Sequence, residues 1–305
     1  MRILVTGAAG FVGSRLACVL ATRGHHVTGT FINRASELGG VHLREVDLLD
    51  EPALRRVVEE SDPEVVIHLA GLSHVGESWK APDKYFRVNV LGTENLQRTI
   101  GERRLIFASS AEVYGIVPGD RQPIGEDTPL APRSPYALTK AAAERLVLLS
   151  NATVVRSFNI LGPGQAQCFA LPAFAEQLCD IQRGDREAVV RVGNLSARRD
   201  FLHLDDAVEG YCAVVERGDL GTCYNLGSGA ATSMSEMLDR LLKISGVEAQ
   251  IEVEPSRLRS VDIPLLCADN GKLRALTWAP RRTIDGALEE LWRSIGGQSA
   301  VRGPE

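Results

Sequence analysis

Short runs rich in Val, Ile and Leu recur through the first half of the chain, and each is followed by a longer segment whose apolar positions return every three or four residues. Read this way, RILVT (2–6), HVTGTF (26–31), HLREV (42–46), EVVIHLA (64–70), RLIFASS (104–110) and ATVVRS (152–157) are strands. EPALRRVVEE (51–60) and YFRVNVLGTENLQRTI (85–100) are two of the intervening helices. Strands that are apolar on both faces and joined by helices belong to a parallel sheet covered on both sides. The expectation is therefore an α/β chain with a doubly wound parallel sheet. After NILGPG (159–164) the alternation weakens, and helices are expected near 169–183, 205–217, 233–245 and 284–295 with short strands between them. The glycine- and proline-containing turns there mark a boundary. A larger domain over 1–162, a smaller α/β domain over 163–296 and a loose tail over 297–305 are expected. No fixed-period repeat interrupts this reading.

Composition narrows the classes without changing the picture. A chain of 305 residues with 44% hydrophobic and 24% charged residues can bury a large core. The net charge of −5 and the lack of a Lys/Arg cluster interleaved with aromatics argue against nucleic acid and an anionic membrane as partners. The opening MRILVTGAAG reads as a strand, not as a leader, and no run is long enough to span a bilayer, so a cytoplasmic protein is expected. Six scattered cysteines and six scattered histidines show no metal-ligand or disulfide spacing, and no metal site is expected.

Ligands of doubly wound sheets lie beyond the carboxyl ends of the strands. The first strand runs into TGAAGFVG, with Gly7, Gly10 and Gly13 spaced G-x-x-G-x-x-G and Phe11 and Val12 opening the helix. Such a turn brings backbone close to a pyrophosphate and faces it with helix N–H groups, so a dinucleotide site is expected here. An acid at the end of the second strand would grip the ribose of NAD; TFINRAS (30–36) has none. Asn33 and Arg34 would instead accommodate a 2′-phosphate, which favours NADP within an NAD(P) site. Asp47 and Leu48 follow the third strand: Asp47 is a candidate for the adenine, or caps the next helix, for which Asp50 is the better placed residue. Leu69, Ala70 and Gly71 end the fourth strand and would pass close to the cofactor, whereas His68 reads as packed core. Ser109, Ser110 and Glu112 lie at the end of the fifth. Beyond a proline-rich loop, SPYALTKAAAERL places Tyr136 and Lys140 one turn apart on a helix opened by Ser134-Pro135. By itself that pair favours the plainer reading, a packing tyrosine beside a solvated lysine.

Taken together and in order, TGAAGFVG, DLLD, HLAG, NVLGTENL, SSAEVYG, YALTK, RSFNILGPGQ, RRDFLHLDDAV and YNLGSG resemble the extended short-chain dehydrogenase/reductase family over nearly the whole chain. The resemblance implies a Rossmann dinucleotide domain followed by a nucleotide-sugar domain. It makes Tyr136 the acid/base, Lys140 the residue that supports it and holds the nicotinamide ribose, and Ser109 or Ser110 the group that orients the substrate oxygen. A tyrosine with pKa ~10 needs about 4 kcal/mol of differential stabilisation to work near neutrality. A homodimer through helices near 82–101 and 136–150 is implied as well.

GLSHVGESW, PRSPYALTK, FNILGPGQ, VGNLSARRDF and SRLRSVDIP are similar to GDP-mannose 4,6-dehydratases and, more closely, to GDP-4-keto-6-deoxy-D-mannose reductases. The resemblance puts Ser73, Asn159, Arg199, Arg259 and Asp262 at the substrate, although an ion pair with Asp200 is an alternative role for Arg199. Ser260 stands where those families commonly have proline. Related dehydratases carry Thr-Asp-Glu or Thr-Ser-Glu where this chain has Ser110-Ala111-Glu112. Ala111 has no proton to give, which favours a reductase producing a GDP-6-deoxyhexose such as GDP-D-rhamnose. A dehydratase or 4-epimerase that recycles its NAD(P), and more remotely a non-catalytic dinucleotide-binding sensor, are the alternatives.

Overall fold

The structure, a computed structural model, describes residues 1–33, 36–258 and 261–296. Arg34, Arg259, Ser260 and the expected tail 297–305 lie outside the described residues. The first part of the chain alternates as its apolar pattern requires: β1 (Arg2–Thr6), α1 (Phe11–Thr22), β2 (His26–Phe31), β3 (Val41–Glu45), α2 (Glu51–Ser61) and β4 (Val65–His68). Three short helical pieces follow, α3 (Val75–Lys80), α4 (Pro82–Phe86) and a π-helical turn (Arg87–Leu91), leading into α5 (Gly92–Ile100). Next come β5 (Arg104–Ser110), α6 (Pro135–Leu148) and β6 (Thr153–Ser157). The chain continues through β7 (Asn159–Leu161), α7 (Ala170–Arg183), β8 (Val189–Val192), β9 (Arg198–His203), α8 (Leu204–Arg217) and β10 (Cys223–Leu226). It closes with β11 (Ala231–Ser233), α9 (Met234–Ser245), β12 (Gln250–Val253), β13 (Leu265–Leu266), α10 (Gly271–Ala275) and α11 (Ile284–Ser294).

Seven parallel strands in the order β10-β6-β5-β4-β1-β2-β3 make the main sheet. The order reverses between β1 and β4, the place where a doubly wound sheet opens a ligand crevice. Alternation along each strand sorts its side chains between two cores. Ile3 and Val5 pack with Leu16, Leu20, Val208 and Tyr211 on one face. Leu4 joins Leu54, Val58, Leu96, Phe107 and Val147 on the other. Residues beyond the expected 162/163 boundary return to this sheet, because β10 pairs with β6 and α8 packs against α1.

A second core joins α7, α9, α11 and β8 around Phe174, Leu178, Val190, Met237, Leu241, Leu288 and Trp292. Beside it, β11, β9 and β13 form a sheet that β7 joins through β9, and β12 pairs with β8. Helix starts follow their capping residues. Asp50 accepts from the Ala53 N–H at α2, and Ser134 from the Ala137 N–H at α6, where Pro135 occupies the first turn. A Ser233/Glu236 capping box opens α9. Each such cap stabilises its helix by about 1 kcal/mol.

Candidate active site

At the β1–α1 turn the glycines are required by geometry. Gly7 takes the left-handed backbone (φ 72), and a Cβ on it would lie 2.8 Å from the Ala70 nitrogen. A Cβ on Gly13 would lie 2.1 Å from the Gly7 carbonyl oxygen. The turn closes through the Gly10 N–H, which donates to the Gly7 carbonyl at 2.9 Å. Helix α1 then begins with no side-chain cap. This leaves a bare N-terminal turn of Phe11, Val12 and Gly13 beside a glycine surface that admits another molecule's phosphates at backbone distance. The arrangement fits a dinucleotide. Leu69 and Ala70 form the neighbouring wall, consistent with the Ala70 N–H donating to Thr6 Oγ1 at 3.3 Å.

Behind that wall runs a buried polar chain. Thr6 Oγ1 meets His68 Nδ1 at 2.7 Å, and His68 Nε2 meets Thr93 Oγ1 at 3.0 Å. Burial, with a smaller contribution from the Lys140 charge, pushes the His68 imidazole down to about 3, so this ring is neutral, as its packed-core reading requires. Asn89, in the π-helical turn, carries the connection onward. Its amide exchanges hydrogen bonds with the backbone of Leu72 (2.8 and 3.0 Å) and donates to Thr139 Oγ1 at 3.1 Å. Thr139 in turn donates to the Tyr136 carbonyl at 2.8 Å. A π turn supplies the extra residue that turns this amide toward α6, and such turns cluster at functional sites. The sequence reading quoted NVLGTENL without singling out Asn89; an amide on the buried side of an apolar helix was the available signal.

Tyr136, Lys140 and Ser110 are 9%, 8% and 8% exposed, so each is buried yet opens on the cleft. The Ser110 hydroxyl lies beside that of Tyr136 and favours its ionised form. Burial pushes the phenol up to about 12; the negative charge of Glu112 adds to the rise and the Ser110 hydroxyl opposes it. The Tyr85 ring stands edge-on to that of Tyr136, with centroids 6.4 Å apart. One turn along α6, the Lys140 ammonium lies 4.3 Å from the centre of the Phe107 ring, and burial pushes it down to about 8 against the opposing charge of Glu144.

Ser109 separates from Ser110 because successive strand residues point to opposite sides. Its hydroxyl donates to Glu144 Oε2 at 2.7 Å and is committed to the core, which corrects its expected place among the groups that meet a substrate. Glu144 is fully buried and paired with Arg156 at 2.6 Å. Arg156 also donates to the Tyr114 hydroxyl (2.8 Å), and Tyr114 donates to Asn225 (2.7 Å) on β10. A polar network therefore ties the Tyr136 helix to β6 and β10. Its members lie in the separate stretches SSAEVYG, SPYALTKAAAERL, RSFNILGPGQ and YNLGSG, and nothing in any one of them names its partners in the others.

The remaining candidates fall into two groups. Around the dinucleotide turn, Asn33 is in left-handed backbone (φ 69) and its N–H donates to Glu45 Oε1 at 3.3 Å. The tip of the second strand thus does have a carboxylate beside it, contributed by β3, where Phe31 and Glu45 are register partners. Asp47 is exposed and its Oδ1 accepts from the Leu49 N–H, while the α2 cap belongs to Asp50. Leu48 is buried against Gly92. On the substrate side, Ser73 and Asn159 are exposed after β4 and at the start of β7. Arg199 and Asp262 come together as an ion pair at 2.9 Å, with Arg199 also donating to the Ile263 carbonyl at 2.6 Å. The neighbouring Asp200 is occupied otherwise, accepting from the backbone of Ser228, Gly229 and Ala268. The ion pair weighed for Arg199 is therefore made with Asp262. Among the described residues no group of three His, Cys, Asp or Glu side chains is placed to hold a metal, and no helix is long and apolar enough to cross a membrane.

Residues 3–227 match the model of the NAD dependent epimerase/dehydratase family. The GDP-6-deoxy-D-mannose reductase of Pseudomonas aeruginosa is 32% identical to this chain, over 96% of this chain and 97% of the relative. The solved structure of RMD from Pseudomonas aeruginosa complexed with NADPH superposes with a TM-score of 0.83 at 29% identity, covering 97% of each chain. The Thermus thermophilus UDP-glucose 4-epimerase complex with NAD superposes with a TM-score of 0.87 at 28% identity, covering 99% of this chain and 100% of that one. With its glycine turn, reversed sheet order and Tyr136–Lys140 helix, the chain belongs to the NAD dependent epimerase/dehydratase family, the extended short-chain dehydrogenases/reductases.

Proposed function

We propose that this enzyme is a nucleotide-sugar reductase that uses NAD(P)H to reduce the 4-keto group of GDP-4-keto-6-deoxy-D-mannose to a GDP-6-deoxyhexose, GDP-D-rhamnose. The observation that carries the reading is the make-up of the β5 exit. Ser110 lies beside the Tyr136 hydroxyl, and the next side chain, Ala111, is a buried methyl. Removing the C6 hydroxyl, as a dehydratase does, needs an acid besides the tyrosine. Reducing a ketone needs hydride and one proton, for which Tyr136 and Ser110 suffice. The similarity to the Pseudomonas aeruginosa reductase over nearly all of both chains supports the same choice.

When bound, the dinucleotide supplies hydride at the nicotinamide C4. Tyr136 gives its phenolic proton to the sugar O4 as the carbonyl becomes an alcohol, and Ser110 orients that oxygen. Lys140 holds the nicotinamide ribose, and its charge favours the phenolate left behind. Gly7, Gly10 and Gly13 with Phe11 and Val12 would receive the pyrophosphate, Leu69, Ala70 and Gly71 the cofactor's inner face, and Asp47 and Leu48 the adenine. Asn33 and Arg34 support NADP(H), whereas the Glu45 carboxylate beside Asn33 supports NAD(H). Ser73, Asn159, Arg199, Arg259 and Asp262 would line the sugar-nucleotide side.

The second reading is a 4-epimerase or dehydratase that regenerates its own cofactor. It is favoured by Glu112, a carboxylate whose charge reaches Tyr136, and by the similarity to the Thermus thermophilus epimerase. Incubation with NADPH or NADH and enzymatically made ketone separates the two. Stoichiometric loss of absorbance at the reduced-nicotinamide band is expected, and its absence alongside conversion of GDP-mannose or a UDP-hexose without added cofactor would overturn the reductase. A homodimer through α4–α5 and α6 is also proposed. Leu91 and Leu138 stand exposed on these helices, and sedimentation at one chain's mass would refute it.

A further inference from the structure

His74 follows the carboxyl end of β4 and caps the short helix α3. Its Nδ1 accepts from the Glu77 N–H at 3.0 Å, which fixes the other nitrogen as the proton carrier. That Nε2–H donates to the Cys168 carbonyl at 3.1 Å, ninety-four residues away. The next residue along, Phe169, stacks its ring edge-on against the imidazole, with centroids 5.8 Å apart, and then begins α7 of the second lobe. The His74 carbonyl accepts from the Tyr85 hydroxyl at 2.6 Å, and Tyr85 is the ring that abuts Tyr136.

Residues 162–169 run from the end of β7 to the start of α7 and meet the β4 exit at His74. The side-chain hydrogen bond that joins this segment to the β4 exit is made by one imidazole. We propose that His74 is a positioning residue: its ring fastens the 162–169 segment to the β4 exit beside Tyr85 and Tyr136 and thereby sets the affinity for the sugar nucleotide. This rests on the nucleotide-sugar reading given above. Tyr136 is held independently of the imidazole, through the His74 backbone carbonyl and Tyr85. Losing the ring's hydrogen bonds therefore weakens substrate binding more than it slows chemistry. The groups that meet the ring are the Glu77 N–H from α3, the Cys168 carbonyl from the segment itself and the Phe169 ring.

The test compares wild type, His74→Phe and His74→Gln. The phenylalanine keeps a ring against Phe169 and loses both hydrogen bonds; glutamine offers an acceptor and a donor and does not titrate. Expected for His74→Phe is a KM for the sugar nucleotide raised about tenfold, with kcat and the Kd for NADPH within about twofold of wild type. His74→Gln recovers most of the affinity. An unchanged KM in His74→Phe, or parallel losses in kcat and NADPH affinity, overturns the proposal. If that variant does not fold, His74→Ala takes its place, and an unchanged KM in it overturns the proposal. Should wild type reduce no sugar-nucleotide ketone, the reductase reading fails by itself, and the Kd values for GDP and UDP by calorimetry replace KM in the same comparison.

Discussion

At Tyr136, chemistry and burial oppose one another. The phenol is pushed up to about 12 by its surroundings, so acting as a proton donor that is restored near neutrality requires further stabilisation of the phenolate. Ser110 supplies part of it. The rest falls to the charges that arrive with the ligands and to Lys140, whose ammonium sits over the Phe107 face. Lys140 is itself pushed down to about 8, so it stays charged at neutral pH and loses its proton only in mildly alkaline solution. Tyr136→Phe should lower kcat by roughly 10²–10⁴-fold. The Kd for NADPH, followed by nicotinamide fluorescence, should stay within a few fold. Retention of a tenth or more of the activity would remove the phenol from the reaction. The Tyr136/Lys140 pair was legible in the sequence because a helix brings i and i+4 together. The choice between Ser109 and Ser110 was not, since it depends on which side of β5 faces the cleft, and that register is fixed only when Glu144 and Arg156 claim the other side.

At the scale of elements, what the sequence shows best are the pieces bounded by their own chemistry. Strands β1, β2 and β5 fall where the apolar runs put them, and α2, α6, α9 and α11 begin at Asp50, Ser134, Ser233 and Thr283. The segment expected as one helix over 85–100 is divided by the π turn at Arg87–Leu91, because Asn89 and Thr93 bond inward to the β4 exit and not outward to water. Apolar periodicity does not register a change of one residue in a helical turn. The glycine turn is the element most sensitive to a small change. Gly13→Ala would drive a methyl against the Gly7 carbonyl and force α1 off the turn, at a cost of ~1–3 kcal/mol in stability. The same shift misaligns the helix N–H groups, so the Kd for NADPH should rise tenfold or more. Gly24→Ala, where nothing lies within 4 Å of the added methyl, is the control for a glycine lost from a turn with φ 83. Equal effects of the two substitutions on cofactor affinity would refute the role given to Gly13.

For the whole molecule, the parallel sheet and its two lobes follow from the alternation of strands and helices. The return of β10 to complete the sheet does not, because nothing local in CYNL names β6 as its partner. The buried chain Thr6–His68–Thr93 gives the fold a defined response to acid. In the unfolded chain the His68 imidazole takes up its proton near pH 6.5, whereas in the native state it does so only at about 3. Between those values the unfolded state binds more protons, so stability falls as pH is lowered through the window, approaching on the order of 4 kcal/mol from this one group at the lower end. Urea unfolding at a series of pH values should show this slope in wild type and a shallower one in His68→Gln. Identical slopes would show that the ring titrates normally in the native state.

The central claim is that hydride moves from an added dinucleotide to a sugar carbon while Tyr136 supplies the proton. Its most direct test uses NADPH carrying deuterium in turn at each C4 position, with GDP-4-keto-6-deoxy-D-mannose and the purified enzyme, the product being examined by proton NMR. One of the two labelled cofactors should place a single deuterium at C4 of a GDP-6-deoxyhexose, one for each cofactor oxidised, and Tyr136→Phe should place none at a measurable rate. A sugar product formed without deuterium from either cofactor, by enzyme that has consumed no NADPH, would contradict the claim. It would mark a cycle in which hydride leaves and returns to the same substrate.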